Sequence, residues 1–344
     1  MNTLYLLDPT PTDKLSSYRG GGRVIQLIRD YLKDTITFVN DARLVPVNGT
    51  LIVPYWFPYH LPQIITTRAH AKVLIIFDVI PLKYPEHFPI GIKGELFKFI
   101  NCTLARGYDR ILTISNSSKG DIVKHLRIDP SKITVFPLTV AKSLNTTKES
   151  KPNDIELEKP FCLYVGDVNW NKNLPNLARG VIDSGVTCVC VGRPFSSANR
   201  TTIAQSNSIN PALGPFREFI KITHNSNKFI FPENVSDAEL VWLYKHAVCN
   251  ILPSYDEGFG LSYLEAASYE TPSVLSDISV FHEIARDSAL FVDPEKPKSI
   301  SDAITLLSTN AQRRQDLGKK AKERSVIFSP EKFKDHFQSS INDL

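Results

Sequence analysis

Two glutamates eight positions apart, Glu257 and Glu265, flank a glycine-spaced apolar segment within PSYDEGFGLSYLEAASYETPSVLSD, residues 253–277. Carboxylate pairs that hydrolyse one bond between them stand about 5 to 9.5 Å apart. Eight helical residues would separate the two backbones by roughly 12 Å. The pair is therefore poorly spaced for a single acid–base dyad and better suited to the two ends of an elongated ligand. A helix start preceded by Gly258 and containing Gly260 offers N–H groups to whatever comes close. Such ends favour diphosphates and sugar hydroxyl oxygens. A sugar, a diphosphate and a ribose make a ligand of that shape.

These side chains need a frame. VCNILPS reads as a strand, YDEG as a loop and FGLSYLEAASYE as a helix stopped by Thr271-Pro272. Other apolar runs (KVLIIFDVI, RILTIS, KITVFPL, FCLYVG, VTCVCVG, KFIFPE and PSVLSD) alternate with helical patterns along the whole chain. Near-continuous apolar strands separated by helices predict an α/β protein with parallel sheets covered on both faces. The polar stretch 141–160 separates two such groups and reads as a linker. The expected organisation is an N-terminal Rossmann-like domain over 1–150, a second over 151–325 and a C-terminal helix within 326–344. A cleft is expected between the two domains, with ligands outside the carboxyl ends of the strands. In the tail, Ser329 is placed as an N-cap with Pro330 in the first turn, and Phe333, Phe337 and Ile341 form one apolar stripe.

The bulk numbers narrow the class. The 344 residues are 42% hydrophobic and 22% charged, as in a soluble globular protein of two domains. The opening MNTLYLLDPTPTDK has its apolar run cut by Asp8 and prolines, so it is neither a signal peptide nor a spanning helix, and no later run reaches about twenty apolar residues. Five cysteines (102, 162, 188, 190 and 249) lack CxxC spacing and read as core thiols in a reducing cytosol. Cys188 and Cys190 alternate, so both should point to one face of a strand. The net charge of +4 is uneven, since residues 1–150 carry 19 Lys+Arg against 12 Asp+Glu, or +7, which leaves −3 for the rest. A basic half either faces an anionic partner or is simply solvated. No basic run is interleaved with aromatics, which argues against nucleic acid.

The Glu257–Glu265 spacing inside PSYDEGFGLSYLEA resembles the signature of the retaining GT-B glycosyltransferases of family 4, the glycosyl transferases group 1. Other segments agree in order along nearly the whole chain: YRGGGRVIQLI, FDVIPLKYPEHFP, ILTISNSSKGDI, YVGDVNWNKNLPNLARG and VSDAELVWLYKHAVCNILPS. The resemblance implies a GT-B fold whose C-terminal helix crosses back to the N-domain. It implies that Glu257 holds donor-sugar hydroxyls, that the amides of Phe259, Gly260 and Leu261 approach sugar and phosphate, and that Glu265 holds the ribose. Lys172 would neutralise the departing diphosphate, with Gly166 in the first loop of the second domain. Gly20, Gly21 and Gly22 would form a loop crowding the phosphates, although GGGRVI lacks G-x-G-x-x-G spacing.

Two positions depart from the pattern. Asp167 stands where the family often has Arg, and Arg193 in VGRP is the candidate substitute. Phe77-Asp78 stands where His-Asp is common; Asp78 remains as a catalytic candidate, with a turn-forming role before Pro81 as its plain alternative. Surface or loop readings also apply to Arg193 and Lys172. Ser115, Ser117 and Ser118 read as acceptor contacts or an N-cap, and the aromatic cluster PYWFPYHLP as loop packing or a sugar platform; His87 reads as an acceptor contact or packing.

The implied activity is metal-independent transfer, with retention, of mannose or rhamnose from a GDP- or dTDP-sugar, with no cofactor. The implied acceptor is a saccharide or lipid-linked oligosaccharide of a growing cell-surface polysaccharide, as in bacterial O-antigen and capsule enzymes. The expected location is cytoplasmic, at the inner face of the inner membrane. There GIKGELFKFINCTLARGYDR (91–110), with Lys93, Lys98 and Arg106, is either a membrane-contact helix or a buried one with snorkelling lysines. The alternative is a non-catalytic GT-B partner that binds nucleotide sugar. An epimerase or phosphorylase is a third possibility, the latter requiring a pyridoxal-phosphate lysine that the sequence does not offer.

Overall fold

The computed structural model describes residues 3–8, 20–152, 155, 160–205, 213–342 and 344. They divide into two compact units, Met1–Lys142 with Ser329–Leu344, and Ser143–Phe328. The first break falls at 142/143 rather than at the expected 150/151. Polar as it looks, the segment after it docks on the second unit: Lys142–Thr146 forms a short helix with Leu144 buried, Tyr269 donates to the Leu144 carbonyl, and Ser150 N donates to Ala238 O at 3.1 Å. Positions 153, 154 and 156–159 of the expected linker lie outside the described residues.

The first unit holds β1 (Leu4–Leu7), β2 (Ile36–Val39), β3 (Thr50–Val53), β4 (Ala71–Ile75), β5 (Arg110–Thr113) and β6 (Ile133–Val135). They form one parallel sheet in the order β2-β1-β3-β4-β5-β6. The second unit holds β7 (Phe161–Val165), β8 (Thr187–Val191), β9 (Phe229–Ile230), β10 (Cys249–Leu252), β11 (Ser273–Ser276) and β12 (Leu290–Val292). These are again parallel, in the order β12-β11-β10-β7-β8-β9. Helices make most of the crossovers between consecutive strands. The exceptions lie in the first unit, where only the turn Ala42–Leu44 separates β2 from β3 and the helix-free segment 54–70 joins the parallel neighbours β3 and β4. The winding direction reverses between β1 and β3 in the first sheet and between β7 and β10 in the second, and such switch points are where open α/β sheets leave a crevice.

The chain's end is divided between the units. The turn Val326–Phe328 stays with the second, where Phe328 stands edge-on to Phe259 at 5.6 Å. The helix Pro330–Ser339 returns to the first, with Ser329 accepting from Lys332 N as its cap. Its buried Phe333 and Phe337 pack on Phe136, with centroids at 6.1 and 5.8 Å. Cys162, Cys188, Cys190 and Cys249 are fully buried in the second core, and the Cys188 and Cys190 sulfurs lie 3.8 Å apart on one face. No helix among the described residues is long and apolar enough to cross a membrane.

Candidate active site

The loops that follow β7 and β10 are tied together by asparagines. Asn171 donates from Nδ2 to Asp256 O at 2.9 Å and accepts Tyr255 N at 2.8 Å. Asn173 adopts a left-handed conformation (φ 53°), which asparagine tolerates better than most residues. From there its Nδ2 reaches Pro253 O at 2.9 Å and Pro294 O at 2.7 Å. Trp170 stacks on Tyr255 at 5.2 Å, and Asn176 donates to the Tyr255 hydroxyl.

The residue held between the two asparagines is Lys172. Its Nζ lies 2.6 Å from Glu257 Oε1, and Ser254 donates to the same oxygen at 2.8 Å. The two side chains of this ion pair are 18% and 9% exposed. Charges buried to that degree persist because each has the other. Glu257 N in turn donates to Asp256 Oδ1 at 2.8 Å, which fixes the backbone beneath the carboxylate.

Glu265 sits in a separate setting. Its side chain is buried, and the Tyr244 hydroxyl donates to Oε2 at 2.8 Å. Tyr244 belongs to the helix Asp237–His246, and its carbonyl accepts Thr271 Oγ1 at 2.6 Å. The helix carrying Glu265 is Leu261–Ala267, shorter than the expected 259–270 at both ends. Gly260, at φ 92°, cannot join it, and a Cβ there would lie 2.6 Å from the Phe281 ring. At the other end Glu270 turns at φ 60° before Thr271. Helical rise therefore applies only from Leu261 onwards, with Phe259 buried in the loop before it.

Glycines allow the loops after β7 and β8 to touch. Gly166 N donates to Val191 O at 3.0 Å, and a Cβ on Gly192 would lie 2.2 Å from Gly166 O. Asp167 is exposed, its Oδ1 accepting Val168 N at 2.8 Å, while Tyr164 donates to its carbonyl. Burial first, then the nearby charges of Glu257 and Asp167, push the Tyr164 hydroxyl well above its usual pKa. Arg193 opens the turn Arg193–Phe195 after β8 and is exposed.

The candidates of the first unit are less closely held. Gly20, Gly21 and Gly22 are not a loop but the first turn of the helix Gly20–Leu32, which starts at the glycines; residues 9–19 before it lie outside the described residues. Asp78 follows β4, and its Oδ1 accepts Ile80 N at 3.1 Å, a turn-forming bond. Phe77 beside it is half-buried. Ser115 caps the helix Asn116–Leu126 by accepting Ser118 N. His87 stands 3.7 Å from Glu86. The aromatic cluster is held as loop packing: Asn101 Nδ2 donates to the carbonyls of Phe57, Pro58 and His60, and Trp56 Nε1 to Asn101 O.

Residues 145–324 match the family described as glycosyl transferases group 1, and they hold Lys172, Glu257 and Glu265. The chain belongs to that family. It is similar to the O-antigen chain mannosyltransferase RfbU of Salmonella typhimurium, at 30% identity over 68% of this chain and 60% of that one. It is also similar to the serotype-specific mannosyltransferase WbdA of Escherichia coli, at 24% identity over 82% of this chain and 36% of that one. The chain thus spans less than two thirds of the length of either relative. Among solved structures, Anabaena Alr3699/HepE, in complex with UDP and glucose, superposes with a TM-score of 0.71 at 13% identity, covering 100% of both chains. A glycosyltransferase from Rickettsia africae gives 0.64 at 14% identity, covering 99% of this chain and 98% of that one. These likenesses show the GT-B fold.

Within this family member, sequence reading missed Ser254, Tyr244, Asn171 and Asn173. Asn171 and Asn173 had a signal, since they bracket Lys172 in NKN. Ser254 lies three residues before Glu257 and just past a strand. Tyr244 had none: in DAELVWLYKH a tyrosine among apolar residues looks like core, and it is that too.

Proposed function

We propose that this chain transfers mannose or rhamnose from a GDP- or dTDP-sugar to a hydroxyl of a growing, lipid-linked cell-surface polysaccharide, with retention and without a metal. The observation that carries the reading is the Lys172–Glu257 pair, placed in the loops of the two strands that flank the second sheet's switch point. The mannosyltransferase names of the relatives, and that of a D-rhamnosyltransferase at 24% identity (WbpZ of Pseudomonas aeruginosa), favour those sugars.

Glu257 holds sugar hydroxyls through its carboxylate, and Glu265 the ribose. With donor bound, Lys172 is shared between Glu257 and the diphosphate, and its charge stabilises the leaving group. The displacement is of the internal-return type: the departing phosphate oxygen accepts the acceptor's proton as the new bond forms on the same face. Positioning and charge stabilisation do the catalytic work. Arg193 stands in for the cation absent at Asp167. The enzyme resides at the cytoplasmic face of the inner membrane as a peripheral protein.

A thermal-shift screen against GDP-, dTDP-, UDP- and ADP-sugars identifies the donor, because a bound ligand raises Tm by mass action. The stabilising donor is then followed for nucleoside diphosphate release with and without saccharide acceptor, and the product anomer is read by NMR. A donor that binds yet never releases nucleoside diphosphate overturns the enzymatic reading in favour of a binding partner. An inverted product overturns retention.

A further inference from the structure

The helix Gly91–Arg106 in the first unit is inside out. At about 100° per residue, Gly94, Asn101 and Ala105 share one face, and Ile92, Leu96 and Phe99 share the opposite one. The small and polar set is the buried one. The large apolar set is 91%, 55% and 69% exposed. Ordinary amphipathic packing puts such residues the other way round. Asn101 explains why the arrangement holds, since its Nδ2 donates to three carbonyls of the 57–60 segment and anchors the helix by its polar side. Leu61 and Ile64, just beyond that anchored segment, are exposed as well.

We infer that the Ile92–Leu96–Phe99 face inserts into an anionic lipid bilayer. Membrane residence is part of the function proposed above, and the helix adds the surface that makes the contact. Two observations select lipid over a second copy of the chain. Three side chains fall far short of the roughly 800 Å² per partner that a stable protein interface buries, whereas shallow insertion supplemented by charge needs no more. The charge is also of the right sign. Lys93 is exposed next to Ile92, Lys98 is offset by its pairing with Glu95, and residues 1–150 as a whole carry +7. That complements an anionic headgroup layer and opposes a like copy.

The test is co-sedimentation of the full chain with vesicles of phosphatidylcholine alone or mixed with phosphatidylglycerol, at low and high salt. The expected result is pelleting with the anionic vesicles that weakens as salt rises. The variant I92S/L96S/F99S should lose at least about tenfold in partitioning, and Lys93→Glu several-fold. Both should keep the wild-type Tm and donor-induced thermal shift, because these side chains are in solvent. Failure of the wild-type chain to pellet with anionic vesicles overturns the membrane reading and this surface together. Pelleting unchanged in the triple variant overturns the surface alone. A concentration-dependent dimer in sedimentation velocity that the triple variant dissolves reassigns the face to a second copy and overturns the lipid assignment. Transfer to a soluble acceptor is measured separately, so its loss cannot be mistaken for any of these outcomes.

Discussion

Each sheet reverses its winding once, and at each reversal a buried carboxylate meets a cation. In the first unit Asp8, at the end of β1, is held by Arg29, which reaches back from the last turn of the helix Gly20–Leu32 and lies over the Phe38 ring. In the second unit Glu257, after β10, is held by Lys172 from the loop after β7. The pairs differ in what fixes them. Arg29 stands on the helix connecting β1 to β2, so its bond closes one crossover. Lys172 and Glu257 come from loops 85 residues apart that asparagines hold together. The guanidinium is a permanent, planar partner, while an ammonium is a point charge that can be shared with an incoming anion. A pair that holds one crossover together is thus distinguished from a pair available to a ligand, although both are buried carboxylates at strand ends.

The contrast breaks most easily at the second pair. Glu257→Gln keeps the size of the side chain and removes its charge, and Lys172→Met removes the cation. Each should lower kcat/KM about a hundredfold or more with the far-UV spectrum unchanged. Asp78→Asn, which preserves the turn-forming acceptor towards Ile80 N, should cost less than about tenfold. A hundredfold loss there would move catalytic weight into the first unit.

Glycine substitutions sharpen the comparison through stability. Ala at Gly260 must hold φ 92° and drive a Cβ to 2.6 Å from Phe281. Left-handed strain plus overpacking should cost about 2–4 kcal/mol, read as a fall in Tm. Gly91, at φ 60°, has nothing within 4 Å of a Cβ, so Gly91→Ala should cost only the strain, about 1 kcal/mol. Equal losses at the two sites would mean that the packing around Gly260 yields.

Tyr244→Phe tests the other carboxylate. The hydroxyl that donates to Glu265 is lost while the ring stays, so a buried acceptor goes short of one bond. KM for the donor should rise about tenfold with kcat nearly unchanged, since a ribose contact is made equally in ground and transition states. A fall in kcat at constant KM would place Glu265 in the chemistry rather than in binding.

Much of this was readable in the residues, and the physical reasons are local. Every apolar run named from the sequence became a strand of a parallel sheet, because strands covered on both faces must be apolar throughout. The short β2, β3 and β12 were not anticipated; runs of three or four residues such as TLIV carry little periodicity. Lys172 and Glu257 could be named singly from the family resemblance, but their contact depends on the β7–β10 neighbourhood, which only topology provides. The glycine loop at 20–22 became a helix start, and the linker's first residues a docked helix, because tertiary contacts outweighed composition in both places. The inverted face of Gly91–Arg106 was half visible: its lysines stood out, but burial could not be assigned to either side before the Asn101 anchor was seen.

The smallest expected effect returns to the first pair. Asp8→Asn leaves Arg29 beside a neutral amide that still accepts a hydrogen bond. Because Arg29 is 42% exposed, water takes over part of the lost attraction, and the cost should be about 1 kcal/mol rather than that of a fully buried pair. Tm should drop slightly, and kcat/KM for the donor should stay within about threefold of wild type. Raising the salt concentration should shrink the difference between wild type and variant, since the Arg29 cation left behind is 42% exposed and open to screening. Should Asp8→Asn instead match Glu257→Gln in lost transfer, the first unit's pair would also face substrate. The reversal of strand order would then mark a ligand site in both sheets, not in the second alone.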